Sequence, residues 1–148
     1  MFGKGIYLAD MSSKSANYCC SYASGGEALL LLCEAELGNP MQVLTNASYT
    51  AGDDALAKNM YSTWGQGQTA PQGWKDAKSI HPSLAGVRVV SKFLGQICGI
   101  TAKPFVQPDV SKKPGATKVS GAYLQYNEFI CYDVSQVCVV ETFVVSSS

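Results

Sequence analysis

The chain has 148 residues and a mass of 15.7 kDa, the size of one domain able to bury about 68–70% of its unfolded surface. A hydrophobic content of 47% against 15% charged residues excludes disorder driven by charge. Eleven basic and eleven acidic residues cancel, which leaves no electrostatic footprint for nucleic acid and points to a ligand read by shape and hydrogen bonds.

The segment Gly5-Ile6-Tyr7-Leu8-Ala9 reads as a short strand closed by Asp10. Ser12 or Ser13 is positioned as the N-cap of a helix running to about Tyr22, and Gly25-Gly26 ends that unit. The apolar stretch Glu27–Leu37 predicts a buried strand, broken by Gly38-Asn39-Pro40, and Met41–Leu44 a further short one. Residues 45–86 are rich in Gly, Ser, Thr, Asn and Gln and read as loop, with a helical turn around Asp53–Met60. Val87–Val90 reads as a short strand and 91–122 as irregular. Tyr123–Asp133 and Gln136–Val145, dense in Tyr, Phe, Ile and Val, predict two strands of a hairpin. The tail Ser146-Ser147-Ser148 reads as disordered. Together these elements predict a mainly antiparallel α+β domain and not alternating βαβ units.

The longest apolar run, Ala28–Cys33, is far short of the ~18 residues that a membrane span needs. Residues 1–5 lack the apolar region of a signal peptide. The six cysteines form no C-x-x-C pair and share the chain with one histidine, His81, so no metal site is expected. They read as reduced, buried thiols of an intracellular protein.

Common nucleotide and nucleophile motifs fail. Gly3-Lys4-Gly5-Ile6-Tyr7-Leu8 has Leu8 where G-x-G-x-x-G needs its last glycine. There is no phosphate-binding G-x-x-x-x-G-K-[ST] run and no G-x-S-x-G elbow. The unusual residue is Glu128, in the middle of an aromatic and aliphatic strand. Period two places it on one face with Tyr126, Ile130 and Tyr132, where a carboxylate is costly to bury without partners. Periodicity alone favours a solvent-facing glutamate; the competing reading is a carboxylate at the base of a cleft. Taken singly, Tyr7 and Tyr18 read as core aromatics, Ser15 as an exposed serine and Lys14 as a solvated charge.

Taken together, they read differently. Phe2-Gly3-Lys4-Gly5-Ile6-Tyr7-Leu8-Ala9-Asp10, Ser13-Lys14-Ser15-Ala16-Asn17-Tyr18-Cys19 and Tyr126-Asn127-Glu128 closely resemble the catalytic domain of poly(ADP-ribose) polymerases. The order also matches, with Gly38-Asn39 after an apolar strand and Gly65-Gln66-Gly67 between the outer motifs. The resemblance covers nearly all of residues 1–148, as the C-terminal part of a single catalytic domain that is incomplete at its N-terminus. It implies the ADP-ribosyltransferase fold, built on two antiparallel sheets around an NAD cleft.

The implied activity is cleavage of the nicotinamide–ribose bond of NAD, with ADP-ribose passed to protein side chains or to a growing chain. NAD is then a substrate, no metal takes part, and the implied location is intracellular and nuclear. On matching positions, Glu128 is the catalytic carboxylate and Tyr7 lines the nicotinamide ribose. Tyr18 stacks on the nicotinamide ring, Ser15 binds its carboxamide, and Lys14 lies near the ribose and acceptor. The family's His-Gly motif on the adenosine side falls upstream of these residues, and His81, followed by Pro82, is no replacement. The segment from Val87 to Glu128 is longer than the family pattern, which bears on the acceptor site. The isolated chain is therefore expected to be weakly active or inactive. The alternative is a catalytically silent remnant that serves as a binding or interaction module.

Overall fold

The computed structural model describes residues 1–75, 107–108 and 111–146. The predictions for Val87–Val90, His81, most of 91–122 and the last two serines lie outside the described residues.

Strands β1 (Ile6–Leu8), β2 (Glu27–Ala35), β3 (Gln42–Leu44), β4 (Ser62–Gly65), β5 (Gly67–Ala70), β6 (Trp74–Lys75), β7 (Gln107–Pro108), β8 (Gly115–Ala116), β9 (Leu124–Tyr126), β10 (Glu128–Cys131) and β11 (Val137–Ser146) accompany two short helices, α1 (Ser12–Ala16) and α2 (Ala51–Leu56). The main sheet has the order β1-β10-β4-β3; β5 lies between β8 and β9 in a second, and β2–β11 and β6–β7 form two-stranded ribbons. Five of the seven strand pairs among the described residues are antiparallel, as the order of predicted elements implies. One connection departs from that reading: β3, α2 and β4 form a parallel βαβ unit. Buried Gln42 ties it together, its Nε2 donating to Ala51 O at 2.9 Å and Thr63 Oγ1 at 3.1 Å.

Strand β10 lies between β1 and β4 and is buried along its whole length. One apolar cluster (Leu37, Phe129, Cys131) and another (Phe2, Ala51, Ile130) pack on its alternate residues, and the Trp64 and Phe129 rings stack with centroids 6.0 Å apart. The central position removes Glu128 from solvent, so the solvent-facing alternative that periodicity favours is wrong: Glu128 is 4% exposed. Period two reports which residues share a face but not whether a neighbouring strand covers it.

Further expectations are corrected. The first helix ends at Ala16 instead of about Tyr22 and starts after Met11, with no side-chain cap from Ser12 or Ser13. It buries no residue, so nothing offsets the cost of extending it. Glu27–Ala35 is a strand but not a buried one: among the described residues β2 pairs only with β11, and Leu29 and Leu31 on one face are exposed. Residues read as loop contain β4, β5 and β6. Their Ser, Thr, Gly and Gln content hides strands whose burial is tertiary, with Ser62 and Thr63 fully buried and hydrogen-bonded to Leu37 O and the Tyr132 hydroxyl.

The two C-terminal strands exist but are not a hairpin. β10 pairs with β1 and β4, whereas β11 pairs with β2. A capped turn redirects the chain between the sheets: Asp133 Oδ1 accepts from Ser135 N at 2.8 Å, and Gln136 Oε1 accepts from Tyr132 N and Asp133 N. The thiol reading also changes. Cys19, Cys20, Cys33, Cys131 and Cys138 are free, but of these only Cys131 is buried. No described helix is long and apolar enough to cross a membrane.

Candidate active site

The site forms where two strands change sheets side by side. After β4, Gln66 leaves the main sheet, its N–H donating to Leu44 O at 2.8 Å, and the chain enters the second sheet as β5. The neighbouring chain does the reverse, leaving the second sheet after β9 and entering the main sheet at Glu128. Parallel pairing of Gly67 with Leu124 and Thr69 with Tyr126 aligns the two crossings, and Gly65 then faces Glu128. A ladder interrupted in this way leaves backbone groups that need other partners. Asn127 supplies one, its Oδ1 accepting from Gly67 N at 2.9 Å.

Lys14 reaches the same point from α1. Its Nζ lies 2.8 Å from Glu128 Oε1 and donates to Tyr126 O at 3.3 Å and Asn127 O at 3.2 Å. With side chains 13% and 5% exposed, this is a nearly buried ion pair and not the solvated charge a lone lysine suggests. The two carbonyls help the pair to offset its desolvation. The other carboxylate oxygen, Glu128 Oε2, is buried and accepts no hydrogen bond from the described residues.

Glu128, Lys14, Tyr7, Ser15 and Tyr18 all line one cavity of about 370 Å³, with Met1, Leu8 and Ala9 completing its wall. Tyr7 comes from β1, where it pairs with Ile130 of β10. Its hydroxyl donates to Gly3 O at 2.7 Å and accepts from Phe2 N at 2.9 Å, which fixes the loop before β1 to the site. Ser15 and Tyr18 belong to the turn that ends α1, with Tyr18 N donating to Ser15 O at 3.0 Å. Ser15 is half-buried, whereas Tyr18 is 71% exposed and lines the rim of the cavity. The five residues taken from three separated motifs thus meet in one place.

Sequence reasoning assigned no role to two residues behind the carboxylate. Asp10, two residues beyond β1, is 7% exposed, and its Oδ2 accepts from Asn127 Nδ2 at 2.7 Å. Burial holds its carboxyl above the ordinary range, against the opposing pull of the Asn127 hydrogen bond, its own backbone and the Lys14 charge. The available signal was alternation: Asn127 precedes Glu128, so its side chain points to the opposite face. No group of His, Cys, Asp and Glu side chains suited to a metal occurs among the described residues.

This arrangement offers a negatively charged oxygen with free acceptor capacity, held by a cation beside an apolar, aromatic wall. It suits a flat aromatic ring bound next to a hydroxyl-bearing group.

Comparison with known proteins identifies the lineage. The family profile of the poly(ADP-ribose) polymerase catalytic domain matches residues 1–92. The chain is 41% identical to poly [ADP-ribose] polymerase 2-A of Oryza sativa subsp. japonica, with 93% of this chain and 17% of that protein aligned. It is likewise 41% identical to poly [ADP-ribose] polymerase 1 of Gallus gallus, over 93% of this chain and 11% of the relative. With poly [ADP-ribose] polymerase of Drosophila melanogaster the identity is 34%, again over 93% and 11%. The chain therefore spans between 11% and 17% of the length of these relatives. The motifs, their meeting in one cavity and these matches lead to one conclusion: the chain belongs to the poly(ADP-ribose) polymerase catalytic-domain family.

Proposed function

We propose that residues 1–148 form the C-terminal part of an NAD-dependent ADP-ribosyltransferase domain whose nicotinamide end is the cavity around Glu128. The observation that carries this reading is the Lys14–Glu128 pair at 2.8 Å in a cavity shared with Tyr7, Ser15 and Tyr18. Nicotinamide stacks on Tyr18, and the Ser15 hydroxyl hydrogen-bonds its carboxamide. Tyr7 flanks the ribose, and Glu128 accepts a hydrogen bond from a ribose hydroxyl through Oε2, the oxygen that accepts none from the described residues.

Breaking the glycosidic bond sends its electron pair to nicotinamide, which leaves as the neutral amide. The ribose carbon passes through an oxocarbenium-like state of the kind met in sugar hydrolysis. A fixed carboxylate stabilises that developing positive charge, an effect of about 3–4 kcal/mol for a key group. An acceptor oxygen then bonds to the same carbon and, where it is a hydroxyl, gives up its proton. The acceptors are protein side chains or a growing ADP-ribose chain, the setting is intracellular and nuclear, and neither direct nucleic-acid binding nor a membrane is involved.

The test is labelled NAD, offered to the purified chain alone and to the chain fused behind the upstream part of a relative's catalytic domain. Transfer is expected chiefly in the fusion, because binding energy at the adenosine end helps to position the reacting bond. Loss of transfer in Glu128→Gln with nicotinamide-analogue binding retained supports the assignment. Unchanged transfer by that variant overturns it.

A further inference from the structure

Resting on the role given to Glu128 above, we infer that Asp10 and Asn127 form a latch that positions the carboxylate from behind. Asn127 is 4% exposed and held at three atoms: Nδ2 donates to Asp10 at 2.7 Å, Oδ1 accepts from Gly67 N at 2.9 Å, and its carbonyl accepts from Lys14 Nζ at 3.2 Å. The same ammonium holds Glu128 at 2.8 Å. The segment after β1, the start of β5 and the entry to β10 therefore meet at one side chain, and any movement of Asn127 passes directly to its neighbour.

Packing alone does not hold it there. Asp10, Asn127, Trp64 and Phe129 line a second cavity of about 490 Å³ on the far side of the strand from the one that Glu128 faces. An asparagine with open volume behind it keeps its rotamer through hydrogen bonds, because fewer neighbouring atoms block the alternatives. Trp64 and Phe129 fix the floor by stacking, but neither reaches Asn127 with a polar group among the described residues. The Asp10 and Gly67 bonds together orient the amide, its nitrogen toward the Asp10 carboxylate and its oxygen toward the Gly67 N–H.

The interaction can be broken and rebuilt with charge conserved. Asn127→Asp sets two carboxylates against each other and removes the donor. Adding Asp10→Asn restores the bond in reverse: the amide introduced at position 10 donates to the carboxylate introduced at position 127, whose second oxygen still accepts from Gly67 N. In the full chain, fused as above where its own rate is too low to measure, Asn127→Asp should lower kcat by about tenfold to a hundredfold, the cost of a misplaced catalytic group. KM for NAD and the affinity for benzamide should change little, and the exchanged pair should recover most of kcat. A merely structural role would move stability and benzamide affinity together with rate, and would not return kcat selectively. An unchanged kcat in Asn127→Asp, or an exchanged pair as slow as the single variant despite an equal melting temperature, overturns the inference.

A second readout needs no turnover. Backbone relaxation at Glu128, measured by NMR, should show added motion in Asn127→Asp and its removal in the exchanged pair; equal motion in both variants also overturns the latch. Absence of nicotinamide release by the unsubstituted fusion refutes the proposed function, while the relaxation comparison still decides the latch.

Discussion

Gly65 stands opposite Glu128 in the ladder between β4 and β10, and two residues later Gly67 donates its N–H to the Asn127 side chain and closes against the backbone of Tyr126 and Asn127. A Cβ on Gly67 would lie 2.2 Å from the Tyr126 carbonyl carbon and 2.5 Å from Asn127 N. One on Gly65 would lie 2.6 Å from the Phe2 ring. Gly67 therefore lets one backbone pass against another beside the carboxylate, and Gly65 leaves room for the Phe2 ring.

Gly67→Ala is expected to destabilise the protein by about 1–3 kcal/mol, as overpacking does when backbone must give way. Transfer should fall further than stability accounts for, because the strand that moves carries Glu128. Urea melts and initial rates on the same preparation check this; full activity with unchanged stability would show that the contact relaxes freely.

Lys14→Met leaves Glu128 buried without its cation, which costs about 3 kcal/mol or more. Combining it with Glu128→Gln should cost much less than the two single changes added together, since the double variant has no unpaired charge. The check is a double-mutant cycle by denaturant unfolding. Additive effects would mean that the two groups do not interact in solution.

Ser15→Ala should weaken benzamide binding by about 1 kcal/mol, the value of one hydrogen bond. Tyr18→Ala should weaken it by about 0.5–1.5 kcal/mol through lost stacking, with little effect on stability because the ring is exposed. Calorimetric titration of each variant, with equal affinities as the adverse result, decides both.

Asp10 gives a pH signature of known sign. Burial raises its carboxyl above the ordinary value of 3.8, so the folded state resists its ionisation more than the unfolded state does. Its contribution then falls as pH rises from the unfolded value through the folded one, and the loss is complete above that. Asp10→Asn removes the ionisation, so the variant should gain stability relative to the parent between acid and neutral pH. Urea midpoints of both proteins across that range test the sign; a constant difference counts against it.

Cys131 is buried, and burial, aided by the nearby Glu36 charge, pushes its thiol up to about 11. At mildly alkaline pH the reactive thiolate is scarce there and out of reach. Exposed Cys20 and Cys138 should alkylate in the folded protein, with Cys131 modified only on unfolding. Mass spectrometry of peptides after timed alkylation provides the measurement, and early labelling of Cys131 would contradict its placement.

The sequence made some of this visible and not the rest, for identifiable reasons. Tyr7, Lys14, Ser15, Tyr18 and Glu128 were legible through the motifs that contain them, yet one at a time each looked like an ordinary core or surface residue. Their juxtaposition depends on β10 lying between β1 and β4, a long-range pairing that local pattern does not encode. Strands β4 and β5 were hidden because Ser62, Thr63 and Gly67 owe their place to buried hydrogen bonds and close approach, not to β-propensity. The leucines of β2 erred in the other direction: their apolar character suggested burial, whereas β2 has one partner strand and a bare face among the described residues.

The β6–β7 ribbon has a consequence for how this domain can vary. Trp74 pairs with Pro108 and Lys75 with Gln107, so the chain leaves and re-enters at adjoining points. Whatever lies between residues 75 and 107 begins and ends at the same clamp. Its length and sequence can change without pulling on β9 or on the carboxylate that follows it. The position behaves as a socket, at which one connecting segment can replace another while the strand pairing around Glu128 stays as it is.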